Sequence, residues 1–368
     1  GVGDLTIDAA AGTDQVTVLG NADGNLIDVV RGANTSVTVG VWQSADIVSV
    51  NTEHLLISAG LGNDTTNVSG DNGPELTVDG GGDSGHGLTG DVLNITNTNP
   101  GTTRVDSGST PDSGSIETPD TANNTAFVGI EAVELTGAVA ATDTLMIDGT
   151  NADDTISLVL DRVTVNDRAR IIFSDFDGLT LAGRRGDDTI IVYPTTLIGV
   201  TTVTTFGGLG QDSVHVLGNI IADTIGFTPT SSTDATVTIA GAATTNIIDS
   251  ESVTIDGDEG NDTLTINTPA LSTTTTSLTP GSTIDSGDVQ VASLIPLSFE
   301  NLGATGLLVI DDADAVADDT LVYQGTGSDD SFDVSATGIV SLNSQITVDV
   351  TGDVATLTLD GQDGDDTF

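Results

Sequence analysis

Through most of the chain apolar and polar residues alternate in short runs. DQVTV (Asp14–Val18), DTIIV (Asp188–Val192), DSVHV (Asp212–Val216) and DTLTI (Asp262–Ile266) each place Val, Ile or Leu on one side and mainly polar residues on the other. A period of two with β-branched residues predicts half-buried strands. No apolar stripe of helical spacing runs beyond two turns. The predicted fold class is therefore all-β: an elongated repeat protein. A parallel β-solenoid of strand–turn rungs is preferred over a string of tandem β-sandwich domains, because aromatic residues make up 3% of the chain and sandwich cores use them as anchors.

The turn before each run is equally regular. G-x-x-G-x-D occurs at Gly183–Asp188, Gly207–Asp212, Gly257–Asp262 and Gly361–Asp366, and with alanine first at Ala9–Asp14 and Ala59–Asp64. Glycines permit positive φ and a tight reversal. One carboxylate plus the turn carbonyls then makes an oxygen-lined reversal of the kind that suits a hard cation. Two readings follow for Asp14, Asp64, Asp188, Asp212, Asp262 and Asp366. One is calcium ligation, assisted by Asp187, Asp258, Asp363 or Asp365. The other is an Asx-type turn, the carboxylate bonding N–H groups of its own reversal. Asp188 and Asp212 are the leading pair, since 24 residues suits one rung and would stack their turns; Arg184 and Arg185 oppose it. GTNADDTI, GTGSDDSF, GNIIADTI and GNADGNLI lack the second glycine and read as structural turns.

Gly207–His215 (GGLGQDSVH) fits every fixed position of GGxGxDxUx, and here the chain resembles the haemolysin-type (RTX) calcium-binding repeat. The resemblance implies a parallel β-roll, calcium held between turns of successive rungs, and an extracellular setting. Unlike that family's tandem nine-residue repeats, the turns here are isolated, and most lack the GG pair.

Residues 5–67 align without a gap onto 203–265, an offset of 198, with GTDQVTVLGN on GQDSVHVLGN. Asp143–Ile156 then matches Asp319–Phe332 at an offset of 176. Two copies are expected, 1–198 and 199–368. The first would carry a long loop insertion at about 70–130, the second a polar loop at about 268–283. A finer beat, acid-x-apolar-x-apolar, begins at Glu53, Glu131, Asp177, Glu251 and Glu300, and the glutamates among these are expected to pair with turn N–H groups. Neither end shows a polar cap, so the chain is expected to be an excerpt of a longer array or a subunit whose ends neighbours cover.

Charge narrows the function. Acids outnumber bases 55 to 7, every base is arginine, and the net charge is −48. Nucleic acid and anionic membranes both need a basic surface, so neither is an expected partner. Self-repulsion calls for salt or divalent cations. Disorder is rejected because the 37% hydrophobic residues fall in regular alternation. There is no cysteine, and neither a membrane span nor a signal segment is recognisable.

His54, His86 and His215 are scattered, and no catalytic motif appears. Sequons stand at Asn34, Asn63, Asn67, Asn94, Asn123 and Asn261. Asn94, Asn123 and the Thr273–Thr276 run are expected in loops open to glycosylation. The expected function is a non-enzymatic extracellular structural protein of a cell-surface fibre, sheath or surface layer. Its partners would be copies of itself, joined head to tail and stiffened by calcium. The alternatives are an adhesin binding cell-surface glycans through residues 80–125, and a calcium-dependent polysaccharide lyase using Arg162, Arg168 or Arg170.

Overall fold

The computed structural model describes residues 5–8, 13–21, 24–32, 34–40, 46–50, 52–70, 73–82, 90–120, 123–138, 142–270, 273–312, 319–350 and 354–368. The protein is all-β; Pro194–Thr196, a single 3-10 turn, is the only helical piece among the described residues. The chain forms two compact units. One comprises residues 1–150, 154–182 and 198–200, the other 151–153, 183–197 and 201–368. These units are defined by packing and the sequence copies by similarity, and their boundaries differ.

In the first unit Leu26–Arg31, Thr65–Gly70, Val92–Thr96, Ala132–Thr136 and Arg170–Ser174 stack in parallel in one sheet. Gln15–Leu19, His54–Ser58, Glu75–Asp79 and Thr125–Val128 do so in the other. In the second unit one sheet stacks Thr189–Val192, Ser213–Asn219, Ser252–Asp258 and Leu297–Glu300. Its other sheet stacks Thr224–Pro229, Thr263–Thr268, Leu307–Asp312 and Thr347–Asp349. This is solenoid-type parallel stacking. It overturns the sandwich alternative, whose sheets would be antiparallel.

Within each unit the chain passes from one sheet to the other at every turn, with one kind of exception. At intervals it stays in a sheet and runs forward, back and forward again. Such meanders are Thr224–Pro229 with Ala235–Ile239 and Thr244–Ile248, then Thr275–Pro280 with Gly287–Val291 and Leu297–Glu300. In the second unit they fall in alternate sheets, and a third follows at Phe332–Asp349. The first unit repeats the scheme at Leu26–Val50, Thr102–Val128 and Thr155–Ser174.

Alternation explains the core. Val214, Val216, Val253, Ile255, Leu264, Ile266, Leu308 and Ile310 are all buried, in register along their stacks, while their neighbours face outward. Each fully buried aliphatic contributes about 1.5–3 kcal/mol relative to exposure.

The stretch expected to loop out at 70–130 is instead rich in strands: Glu75–Asp79, Val92–Thr96, Thr102–Ser107, Gly114–Glu117 and Thr125–Val128. The first two keep the inward–outward alternation of their neighbours and add one strand to each sheet. The polar loop at 268–283 likewise contains the strand Thr275–Pro280, with Leu278 buried.

Candidate functional site

The motif acids lie where one rung's turn meets the next. Asp188 N–H donates to Asp212 Oδ1 (2.8 Å), and Asp212 N–H donates to Glu251 Oε2 (2.6 Å). Asp223 N–H donates to Asp262 Oδ1 (2.8 Å), and Asp330 N–H to Asp366 Oδ1 (3.0 Å). In the first unit Asn25 donates to Asp64, Asp64 to Asp91 and Asp91 to Glu131; Asp14 donates to Glu53, and Asp143 to Asp177. A backbone bond runs beside many of these, as from Ser213 N–H to Asp188 O (2.9 Å) and Thr263 N–H to Asp223 O (2.9 Å).

Each such carboxylate therefore accepts an N–H of the preceding rung, not of its own reversal. Parallel stacking causes this, because it sets equivalent turns one strand spacing apart. The stack spacing is 24 residues between Asp188 and Asp212 and 34 to 40 where a meander intervenes, 39 of them between Asp212 and Glu251. Four of these contacts end on an acid that directly follows a meander and has no G-x-x-G before it; three of the four are the longer glutamate, Glu53, Glu131 and Glu251, with Asp177 the fourth. The expected pairing with turn N–H groups holds at these positions. Glu300 differs: it sits exposed at the end of Leu297–Glu300.

The first motif glycine has a steric cause. A Cβ on Gly257 would lie 2.2 Å from Asp262 Oδ2 and 2.5 Å from Asn301 O; one on Gly207 would lie 2.8 Å from Asp212 Oδ2 and 2.2 Å from Asp249 O. The carboxylate occupies the space a side chain would need. The second glycine meets a conformational need instead: Gly186 and Gly260 have φ of 118° and 117°.

The turns fall into two sorts. In GTNAD, GNIIAD and GTGSD the residue after the first glycine donates its N–H to Oδ2: Thr150 to Asp154 (2.5 Å), Asn219 to Asp223 (2.8 Å) and Thr326 to Asp330 (2.6 Å). In the G-x-x-G-x-D turns and their alanine variants, Oδ2 of Asp14, Asp64, Asp212 and Asp262 is buried without a hydrogen-bond partner. Burial pushes the Asp262 carboxyl up to about 6; Asp223, Asp256 and Asp258 add to the rise and the Asp223 N–H opposes it. Asp212 is also raised, by burial first and then by Glu251 and Asp187, against the Asp188 N–H.

This donor set does not fit calcium. Oδ1 already accepts an N–H, Oδ2 faces inward against a glycine, and calcium takes six to eight oxygens. No three acidic or histidine side chains converge on a common point among the described residues. The expected assistants lie elsewhere in the turns. Asp187 and Asp363 are exposed, Asp187 Oδ1 accepts Gln211 N–H (2.9 Å), Asp258 N–H donates to Asp256 Oδ1 (2.8 Å), and Asp365 N–H donates to Asp329 Oδ1 (2.9 Å).

Other candidates have structural partners. Arg168 Nη1 donates to Gly108 O (2.8 Å) and Thr110 O (2.9 Å), holding a hairpin turn, while Arg162 and Arg170 begin strands. His54 Nδ1 meets Glu75 Oε2 at 2.8 Å, His215 lies in the strand Ser213–Asn219, and His86 lies outside the described residues. Asn94 is in a strand, not a loop: its Nδ2 donates to Asn67 Oδ1 (2.8 Å), and Asn67 Nδ2 donates to Asp28 Oδ1 (2.7 Å). Asn123 Nδ2 donates to Gly73 O (3.0 Å), and Thr274 and Thr276 of the threonine run are buried.

Asn25, Asp91 and Asp143 take part in these contacts without matching an acid motif. Asn25 stands at the acid's place in GNADGN, five residues after Gly20, and its Nδ2 donates to Asp64 Oδ1 (2.8 Å) and Ala59 O (3.1 Å). Only the spacing from Gly20 could have found it.

No model of a protein family and no curated protein matches the chain.

Proposed function

We propose that the protein is a non-enzymatic structural protein of the cell exterior, part of a fibre, sheath or surface layer, that joins copies of itself head to tail by continuing the β-stack. The observation that carries this reading is the carboxylate-to-N–H contact repeated at turn after turn in each unit. The residues that make the sequence distinctive serve cohesion between rungs. Calcium in this reading acts as a diffuse counterion on exposed carboxylates, given the net charge of −48.

The test is electron microscopy of the purified chain with calcium and with chelator in matched salt. Filaments in both conditions are expected. Compact monomers in both would overturn the assembly, and filaments that dissolve on chelation would overturn the diffuse role of calcium.

One observation favours the adhesin reading as second choice. An open groove of about 530 Å³ is lined by Thr279–Ser282, Gln324–Gly327, Gln362 and Asp363, a hydroxyl- and amide-rich surface that suits sugar hydroxyls. Glycan-array binding by a chain that stays monomeric would move that reading to first place.

A further inference from the structure

Asp212 and Asp262 pose a problem that their neighbours solve. They are 2% and 0% exposed. In each, Oδ1 accepts an N–H and Oδ2 has no partner. Beside each Oδ2 lies a carbonyl oxygen of the next rung. Both oxygens approach the point where the first glycine would carry a Cβ: Asp212 Oδ2 and Asp249 O at Gly207, Asp262 Oδ2 and Asn301 O at Gly257. Asp249 O already accepts Gly208 N–H (3.1 Å), so the group left without a hydrogen at each corner is the buried Oδ2, which is costly unless one is supplied.

The molecule supplies one in two other ways at equivalent turns. At Asp223 the Asn219 N–H, from the turn itself, donates to Oδ2. At Asn25 the side chain is a neutral donor. A Cβ on Gly20 would lie 1.9 Å from Ala59 O and 3.0 Å from Asn25 Nδ2, the same corner, and there Nδ2 donates to Ala59 O (3.1 Å). The amide shows what the corner accepts.

We propose that Asp212 and Asp262 each bind a proton from solvent at Oδ2 in the folded protein and donate it to the next rung, to Asp249 O and Asn301 O, as Asn25 donates to Ala59 O. The turns of Asp212 and Asp262 are then proton-binding turns, and the stack is tightened there by mild acid. This stands apart from the assembly reading, since it concerns cohesion within one chain.

The surroundings favour the neutral form. Asp262 is faced by Asp223 of the preceding rung and by Asp256 and Asp258 at the end of the strand that leads into its turn, while in the next rung Asp285 Oδ2 accepts Gly303 N–H. Asp212 is faced by Asp187 and Glu251, with Asp234 Oδ1 bonded to Asp249 N–H. All of these are acids. The raised carboxyl of Asp262, about 6 against an ordinary 3.8, agrees with the geometry.

The sign follows. A carboxyl raised on folding holds its full contribution below the unfolded value and loses it as pH rises through the folded value. For Asp262 the folded-to-unfolded ratio should fall about 30-fold between pH 4.5 and pH 8 from this site alone.

The test compares denaturant unfolding of the full chain with Asp262→Asn and Asp212→Asn at both pH values. Asparagine keeps the Oδ1 acceptor and supplies the donor. Each variant should match or exceed wild type at pH 8 and show a smaller fall from pH 4.5. The wild-type-minus-variant difference removes the general repulsion among surface acids. Infrared spectroscopy of the wild type with ¹³C-carboxyl aspartate gives a readout independent of variant folding. A protonated carboxyl band that persists to about pH 6 and is lost by pH 8 is expected. Variants that lose equal stability at both pH values, or no carboxyl band at pH 5, would overturn the proposal.

Discussion

A glycine beside a buried carboxylate is an exclusion more than a hinge. At Gly257 a methyl group would meet Asp262 Oδ2 at 2.2 Å and Asn301 O at 2.5 Å, and the second of these is backbone. Gly257→Ala should cost about 1–3 kcal/mol in denaturant unfolding as the turn is forced apart. Gly327→Ala is the control: nothing lies within 4 Å of its added Cβ, and it should change stability by less than about 0.5 kcal/mol. Equal effects would mean that the glycines serve backbone freedom alone. Much of this corner was legible in the sequence, since the acid stands at a fixed distance from the first glycine. Its partner was not, because a backbone N–H from a rung 24 or 39 residues away carries no side-chain signature. Asn25 stayed hidden for a related reason: the position needs one acceptor and one buried polar group, and an amide meets that need without matching an aspartate pattern.

Strands here come in pairs, one for each sheet, and a pair is the smallest piece that can be added or removed without putting a strand in the wrong sheet. Glu75–Asp79 and Val92–Thr96 are such a pair. The second unit runs without its counterpart, passing from Thr263–Thr268 straight to the meander that begins at Thr275. Deleting residues 75–96 should therefore leave a folded, cooperatively melting chain by circular dichroism, because His54–Ser58 can then stack on Thr125–Val128 and Thr65–Gly70 on Ala132–Thr136. Deleting 75–79 alone reverses which sheet every later strand enters and should abolish cooperative melting. If the two deletions behave alike, sheet alternation does not govern the fold. The drop in repeat offset pointed to this pair, but the glycines and Ser/Thr-rich segments around it made a loop the simpler reading. What distinguishes it is the burial of Leu76, Val78, Leu93 and Ile95, which two short alternating runs signal weakly.

Across the whole molecule charge is the dominant surface property. With 55 acids against 7 arginines, few local pairs offset repulsion, and Arg104 with Asp106 and Asp148 is one of the few present. Exposed charges interact over roughly 10 Å at 0.1 M salt and about 3 Å at 1 M. The melting temperature should accordingly rise with sodium chloride across that range at pH 8. A fall would mean that specific ion pairs outweigh the common field.

The carboxylate contacts also have a direction. In the contacts of the buried turn acids the earlier residue gives the hydrogen and the later one receives it, from Asn25 through Asp64 and Asp91 to Glu131, and from Asp188 through Asp212 to Glu251. The exposed turn acids run the other way, Asp187 accepting from Gln211 and Asp329 from Asp365. For the buried set, one face of a stack offers carboxylates awaiting hydrogens, and the opposite face the N–H groups that meet them. Like faces brought together would set carboxylate against carboxylate, so any lattice that extends these contacts inherits an arrow, with two unlike tips that add and lose material at different rates.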